Sequence, residues 1–204
     1  MTFWETVASG EYVMIALAVI LIAVGVVWIM RGSRLSREKR ESEGLMPAVR
    51  DNVMEGDIET AGQICLNSGT HTAEVVEAGL KQMGRPMPEV EAAMQKVSNA
   101  KIAEMRYGLE WLRLLAVVSP LIGLGGTLIG VTDRLRDLGE SEVPVDFAIL
   151  CSSIAPTIVT TVAGIVTGII ALISLTSLET QINSVRKVIN GCSAEFIDLL
   201  NEPS

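Results

Sequence analysis

The stretch "IAPTIVTTVAGIVTG", residues 154–168, decides the fold of this chain. It contains four threonines, two glycines and a proline, and it lies in a charge-free run over residues 147–178. Thr157, Thr161, Gly164 and Gly168 follow at i, i+4, i+7 and i+11, which places them near one face of a helix. Lipid offers hydroxyl groups no hydrogen-bond partner, so this face is expected to meet protein or water. Alternatively, each threonine bonds the carbonyl four residues back in its own helix.

Two further runs have the length and composition of membrane spans. Residues 12–30 and 114–132 carry no charge, and each would be about 30 Å long as a helix, which matches the hydrocarbon thickness. The run over 147–178 would be longer, about 48 Å, so its end is expected to extend into the cytoplasm. The sequence therefore predicts an all-α integral membrane protein with three transmembrane helices, whose long helices continue into a cytoplasmic helical region.

The basic residues near these runs predict the orientation. They follow the first run and precede the second, at Arg31, Arg34, Arg37, Lys39, Arg40, Arg106 and Arg113. The positive-inside rule then places residues 31–113 and 179–204 in the cytoplasm and residues 1–11 and 133–146 in the periplasm. Because acidic rather than basic residues precede the first run, it is expected to be a transmembrane helix and not a cleaved signal peptide.

The segment between the first two runs is predicted to be helical. Residues 46–83 are expected to form one or two amphipathic helices that end before "GRPMPE", residues 84–89. A helix is predicted to start at Pro88 and Glu89 and to continue without interruption into the second span, because no break in the sequence separates them.

Composition excludes several classes of function. The formal net charge is −8 and no basic face is evident, which argues against a nucleic-acid partner. Three scattered cysteines and one histidine, His71, indicate neither a disulfide framework nor a metal site. No phosphate-binding loop, nucleophile elbow or metalloprotease motif is found, so we expect neither an enzyme nor a cofactor.

Small residues also mark the second span. It contains Pro120, Gly123, Gly126, Thr127 and Gly130, and glycines of this kind let transmembrane helices approach closely. One such pattern is a weak signal. Two spans of one small chain both carry it, which favours a homo-oligomer whose second and third helices line a central cavity.

Two stretches resemble a known family. They are "YGLEWLRLLAVVSPLIGLGGTLIGV", residues 107–131, and "SIAPTIVTTVAGIVTGI", residues 153–169. Both are similar to the MotA/TolQ/ExbB proton-channel family, with the ExbB/TolQ branch nearest. The first matches the family signature P-x-x-G-L-x-G-T-x-x-G residue by residue, from Pro120 to Gly130. The second matches I-A-x-x-L-x-x-T-x-x-G, with Ile158 in place of leucine and with Thr161 and Gly164 in register.

The resemblance implies an ion-driven complex in the bacterial inner membrane. Five copies of the chain would surround the transmembrane helices of two ExbD/TolR-like single-span partners, which carry the aspartate that takes up and releases the ion, expected to be a proton. Thr127 and Thr161 fall on the family's two pore-facing threonines, and we place Thr157 and Pro156 on the same ion pathway. Pro156 stands where ExbB proper has a glutamate, so the ionisable group would come from the partner.

Other functions remain open at this point. A non-conducting membrane scaffold or signalling subunit would use the same small faces for assembly alone, and Pro156 in place of an acid is compatible with it. A solute transporter is less favoured, because transporters generally need internal repeats or broken helices at mid-membrane.

Overall fold

A computed structural model describes residues 11–140 and 146–201, and within these ranges the chain is helical and contains no strand. The helices are α1 (Glu11–Glu43), α2 (Leu45–Met54), α3 (Ile58–Ser68), α4 (His71–Leu80), α5 (Met87–Arg106), α6 (Leu109–Gly139) and α7 (Phe147–Asn201). They form two compact units. Residues up to 29 and 108–176 make the first, here called the span unit, and residues 30–107 with 177–204 make the second, here called the charged unit.

The three apolar helices expected from the sequence are present. In the described residues, three helical stretches are long and apolar enough to cross a membrane. In the span unit, large aliphatic side chains point outward, as at Leu121, Leu128, Ile158, Ile165 and Ile173. An apolar exterior is what lipid solvates, so the chain is a membrane protein.

The charged unit has a core of large side chains. Val49, Val76, Met94 and Ile182 are at most 1% exposed. The C-terminal part of α7 adds Phe196, which is fully buried beside Gly79. In a core of this kind, burial of apolar surface supplies most of the stability.

Residues 46–83 lie in three helices, and the prediction of one or two was wrong. Asp57 begins α3 by accepting a hydrogen bond from Thr60 N, 3.0 Å away, and Thr70 begins α4 by accepting one from Ala73 N at 3.2 Å. Gly69, with φ +60°, ends α3 in the left-handed region. Each cap is a signal in the sequence, and together they divide the segment twice.

The continuous helix predicted from Pro88 into the second span is also interrupted. Tyr107 leaves the helical region, with ψ 129°, and Gly108 has φ +86°, which favours glycine. Arg31 satisfies carbonyl groups at this end of α5 by donating hydrogen bonds to Met105 O at 3.2 Å and Tyr107 O at 2.5 Å. A long-range contact thus satisfies the end of α5, and no local pattern encodes that contact.

Candidate functional site

The site lies where α6 and α7 approach each other most closely. A Cβ atom placed on Gly123 would be 2.7 Å from Thr160 O and 2.9 Å from Gly164 Cα. One placed on Gly164 would be 2.7 Å from Ser119 O. Because these neighbours are backbone atoms, no side-chain rotation could relieve the clash. The two helices therefore touch backbone to backbone, the kind of contact that small residues permit in membranes.

The other predicted packing residues continue the same contact. Gly130 lies against the Thr157 side chain, and a Cβ there would be 2.9 Å from Thr157 Cγ2. Toward the opposite end, Gly168 lies against Pro120, at 2.9 Å from Pro120 Cδ by the same measure. These residues line one antiparallel surface between α6 and α7, called here the α6–α7 seam.

Gly126 faces a different helix. A Cβ on Gly126 would lie 2.8 Å from Val13 Cγ1, so this glycine accommodates a side chain of α1. By contrast, Gly125 has open space where a Cβ would be. The spacing Gly126–Gly130 noted in the sequence therefore serves two contacts rather than one.

A cluster of hydroxyl groups lies in the middle of the α6–α7 seam. Thr127 Oγ1 is 2.9 Å from Thr160 Oγ1 and within hydrogen-bond distance of Thr161 Oγ1. It is also 2.9 Å from Thr157 O and 3.2 Å from Gly123 O. Three threonine hydroxyls and two backbone carbonyls thus converge, and Thr127, Thr160 and Thr161 with these carbonyls are called here the threonine cluster.

The threonine cluster contains more possible hydrogen bonds than its three hydroxyl protons can form at once. Thr160 Oγ1 also lies 2.7 Å from Thr157 O and 3.3 Å from Gly123 O, and Thr161 Oγ1 lies 3.4 Å from Gly123 O. Each hydroxyl carries one proton and can accept others. Several proton arrangements therefore fit the same heavy-atom positions, and the cluster can accept an additional donor without moving.

Access to the cluster differs among its members. Thr160 is 5% exposed and lies behind Thr127 and Thr161, which are half-buried. A group approaching from outside the chain would therefore meet Thr127 and Thr161 first, with Thr160 behind them as a further hydrogen-bond partner.

The predicted pathway residues are only partly brought together. Thr127 and Thr161 share the cluster directly, while Thr157 contributes its carbonyl and donates its own hydroxyl to Ile154 O, 2.7 Å away. Pro156 lies on the exposed side of α7. Thr160 was not among the predicted pathway residues, although its position four residues before Gly164 signals the same helical face.

Both alternatives for the hydroxyls occur in the span unit. Ser119 donates to Leu115 O at 2.5 Å and Thr167 donates to Ala163 O at 2.8 Å, each four residues back in its own helix. The hydroxyls of Ser119 and Thr167 are therefore hydrogen-bonded only within their own helices. Only Thr127, Thr160 and Thr161 have hydroxyl groups that meet across the two helices among the described residues.

Comparison with known proteins decides the family. Residues 67–190 match the MotA/TolQ/ExbB proton channel family, a range that includes all of the second and third predicted spans and the threonine cluster. The chain belongs to this family.

Several relatives are biopolymer transport proteins. The chain is 22% identical over 200 residues to the biopolymer transport protein ExbB of Pseudomonas putida, covering 94% of this chain and 60% of that protein. It is 33% identical over 100 residues to an ExbB homolog of Methanothermobacter thermautotrophicus, covering 49% of this chain and 35% of the relative. An ExbB-like protein of Synechocystis is 30% identical over 106 residues, covering 49% of this chain and 42% of the relative. This member of the MotA/TolQ/ExbB family thus spans about a third to three fifths of these relatives' lengths.

Proposed function

We propose that this chain is the ion-conducting subunit of a complex in the bacterial inner membrane that converts an ion-motive force into mechanical work. It would do so with an ExbD/TolR-like single-span partner that carries a transmembrane aspartate. The observation that carries this proposal is the threonine cluster, in which three hydroxyls and two carbonyls converge between two apolar helices. Family membership supports the same function.

The chemistry of the cluster fits a role beside a carboxylate. An ionised carboxylate at mid-membrane costs about 2.5–3.5 kcal/mol or more unless polar groups or water solvate it. Residues 114–132 and 147–178 contain no acid of their own. The cluster can donate hydrogen bonds to a carboxylate and, by rearranging the same protons, accept one from a carboxylic acid. A partner's aspartate could therefore be stabilised there in both protonation states.

The surface of the span unit supports an oligomer, and we propose a homopentamer around the partner's helices. Thr127 and Thr161 are half-buried, so they remain partly accessible from outside the chain. In the proposed assembly their accessible side faces the central axis, where the partner lies, while the outer aliphatic side chains meet lipid or a neighbouring subunit. The N-terminus would be periplasmic and the C-terminus cytoplasmic, as the positive-inside rule requires.

The direct test is removal of the two accessible hydroxyls. Thr127→Val with Thr161→Val keeps the shape of both side chains and removes their hydrogen bonds. We expect the complex, purified with its co-expressed partner and placed in vesicles, to lose proton flux measured with an internal pH-sensitive dye. Thr127→Ser with Thr161→Ser retains the hydroxyls and should conduct.

A matched control separates conduction from general damage. Thr167→Val removes a hydroxyl that bonds only its own helix, at 2.8 Å from Ala163 O, so flux should be unchanged. Conduction that persists in the double valine variant, with the partner still bound, contradicts the proposed role of the cluster. To determine which ion is carried, the flux measurement is then repeated in an external buffer that contains sodium and has no pH gradient.

The second candidate is a non-conducting scaffold or signalling subunit. The backbone contact between Gly123 and Gly164 favours it, because this contact assembles helices whether or not ions pass. A complex that binds its partner, conducts neither protons nor sodium, and yet supports cell function would establish the scaffold.

A further inference from the structure

One buried acidic oxygen in the span unit lacks a partner. Asp133 Oδ2 is buried and has no hydrogen-bond partner in the described structure. Asp133 is also the first residue after the second predicted span, which ends at Thr132. A buried polar atom left unsatisfied costs free energy. Such an atom at the end of a span indicates a site that something else completes.

The helical position of Asp133 directs it toward the α6–α7 seam. It follows Gly126 by seven residues and Gly130 by three, which places it within about 20° and 60° of them around the axis of α6. Gly126 meets Val13 of α1, and Gly130 meets Thr157 of α7. The Asp133 side chain therefore shares the face on which α6 packs against other helices of the span unit.

The register of the two helices places Asp133 at the end of the seam. Gly123 lies opposite Gly164, and Gly130 lies opposite Thr157. The next turn of this antiparallel pair brings Asp133 level with Ile154, the neighbour of Ser153, whose hydroxyl already donates to its own helix at Leu150 O, 2.8 Å away. Asp133 lies about 9 Å from Thr127 along the helix axis, and the close contact of Gly130 with Thr157 lies between them inside the seam.

Among the side chains that the structure describes, few charged groups surround this carboxylate. On α6, Arg136 pairs with Glu140 at 3.0 Å. The hydrogen bond and charge of Glu140 raise the pKa of Arg136 most, and the charges of Asp133 and Asp137 raise it further. Arg134 and Asp137 are exposed. On α7, Cys151 is the one titratable residue between Asp146 and Glu179, and it is exposed; residues 13–30 of α1 have none. No cation from the other described helices of the span unit thus neutralises Asp133.

We propose that Asp133 is the chain's own proton acceptor at the end of the α6–α7 seam, and that it supplies protons to the threonine cluster. This rests on the proposed function. A hydronium ion gives its proton to the half-buried Asp133 carboxylate and leaves as water. The carboxylic acid then passes that proton, through water on the partner's side of the seam, to the partner's carboxylate at the threonine cluster, and Asp133 becomes anionic again. Only O–H bonds form and break, and no electron is transferred.

The test replaces the acid and follows proton flux against pH. Asp133→Asn removes the proton acceptor at nearly constant size. Because positioned proton acceptors contribute about a hundredfold in other proton-transfer sites, we expect flux in dye-loaded vesicles to fall at least about tenfold. Asp133→Glu should retain part of the flux and shift the pH of half-maximal flux, an effect that a purely structural role would not produce. Asp137→Asn is the matched control, because it removes the same charge from an exposed position one turn further along α6.

Each result decides between the two proposals. If the paired Thr127 and Thr161 valine variant stops conduction while Asp133→Asn conducts with an unchanged pH profile, Asp133 is not the acceptor and the proposed function stands. If the wild-type complex does not conduct at all, both proposals fail. If Asp133→Asn does not assemble, Asp133→Glu decides alone, and an unshifted pH profile overturns the acceptor role.

Discussion

The two ends of α7 use one stripe of residues in opposite ways. In the span unit the stripe that faces the other helices is small or hydroxylated as far as Ser174, and from Leu175 through the charged unit it is large and apolar. The small members are Thr157, Thr160, Gly164, Gly168 and Ala171. The large members are Leu178, Ile182, Val185, Ile189 and Phe196, each at most 1% exposed.

The outward faces are reversed as well. Ile158, Val162 and Ile173 are between 55% and 65% exposed in the span unit, whereas Arg186 and Lys187 are exposed in the charged unit. In water, burial of apolar side chains supplies the free energy of packing. In lipid that gain is absent, so helices associate through close backbone contact and hydrogen bonds. Helix α7 therefore packs through close backbone contact and hydrogen bonds in the span unit, and through burial of apolar side chains in the charged unit.

The largest effect is expected in the charged unit, where burial of apolar side chains stabilises the packing. Phe196→Ala removes a fully buried ring beside Gly79 and should destabilise the protein by about 3–5 kcal/mol. The measurement is thermal unfolding of the purified complex. Phe147→Ala is the control, because Phe147 is 76% exposed and should leave the melting temperature almost unchanged. Equal losses in the two variants would contradict the assigned core.

The next effect tests the backbone contact of the span unit. Gly123→Ala puts a methyl group 2.7 Å from Thr160 O, so the helices must separate, at a cost of about 1–3 kcal/mol. Gly125→Ala, two residues on, meets open space and should be neutral or slightly stabilising. Thermal stability of the two variants in the same detergent provides the comparison. A more harmful Gly125→Ala would mean that α6 is rotated from the described position.

A smaller effect separates stability from conduction. Hydrogen bonds between membrane helices are worth about 0.6 kcal/mol on average, so Thr127→Val alone should barely change the melting temperature. Its expected effect on proton flux is much larger, because Thr127 contacts every other member of the threonine cluster. Parallel thermal and flux measurements on Thr127→Val and Thr127→Ser would show whether the two quantities separate. Loss of both in proportion would assign Thr127 a packing role.

The smallest effect concerns pH in the charged unit. Partial burial alone would raise the pKa of Glu74, but the hydrogen bond and charge of Lys101, 2.6 Å away, together with His71, lower it below 4.5. The hydrogen bond to Glu74 likewise raises the pKa of Lys101 above 10.5. The pair should therefore stabilise fully between these two values. Its contribution should fall as acid passes the lowered pKa of Glu74, and as base passes the raised pKa of Lys101.

Solvent exposure limits the size of this effect. The Glu74 side chain is 43% exposed, so screening reduces the gain to at most about 1 kcal/mol. Lys101→Met should flatten the dependence of the melting temperature on pH, whereas Lys81→Met, which removes a local pair between the residue that follows α4 and Glu77 in its last turn, should change it little. An unchanged pH dependence in Lys101→Met would exclude the pair as its source.

Most of the fold could be predicted because its signals are local. Charge-free runs define the three apolar helices, and the pair of prolines at 86 and 88 defines the start of α5. The break at Gly108 was missed because glycines are common in membrane helices and because Arg31, which satisfies the end of α5, is far away in sequence. The two breaks around α3 were encoded in Asp57 and Thr70, yet a count of apolar residues alone does not reveal them.

The candidate site was predictable to a lesser degree. Periodicity placed Thr161 and Gly164 on one face, and Thr160, four residues before Gly164, belongs near it, but periodicity could not show which of these hydroxyls reaches Thr127. Which hydroxyls meet across two helices depends on how closely the helices approach, and Gly123 sets that distance. Asp133 was grouped with the loop because sequence shows a charge at a span end and gives no sign that one of its oxygens is buried.

The charged unit is assembled from distant parts of the chain, and this affects how the protein is made. Its core brings Gly79 and Met94 against Phe196, while the residues between 107 and 177 belong to the span unit. A ribosome delivers Gly79 long before Phe196, and both later spans are synthesised in between. The early helices therefore keep an open apolar surface until membrane insertion is finished, so insertion of the last span sets the earliest moment at which the core of the charged unit can close.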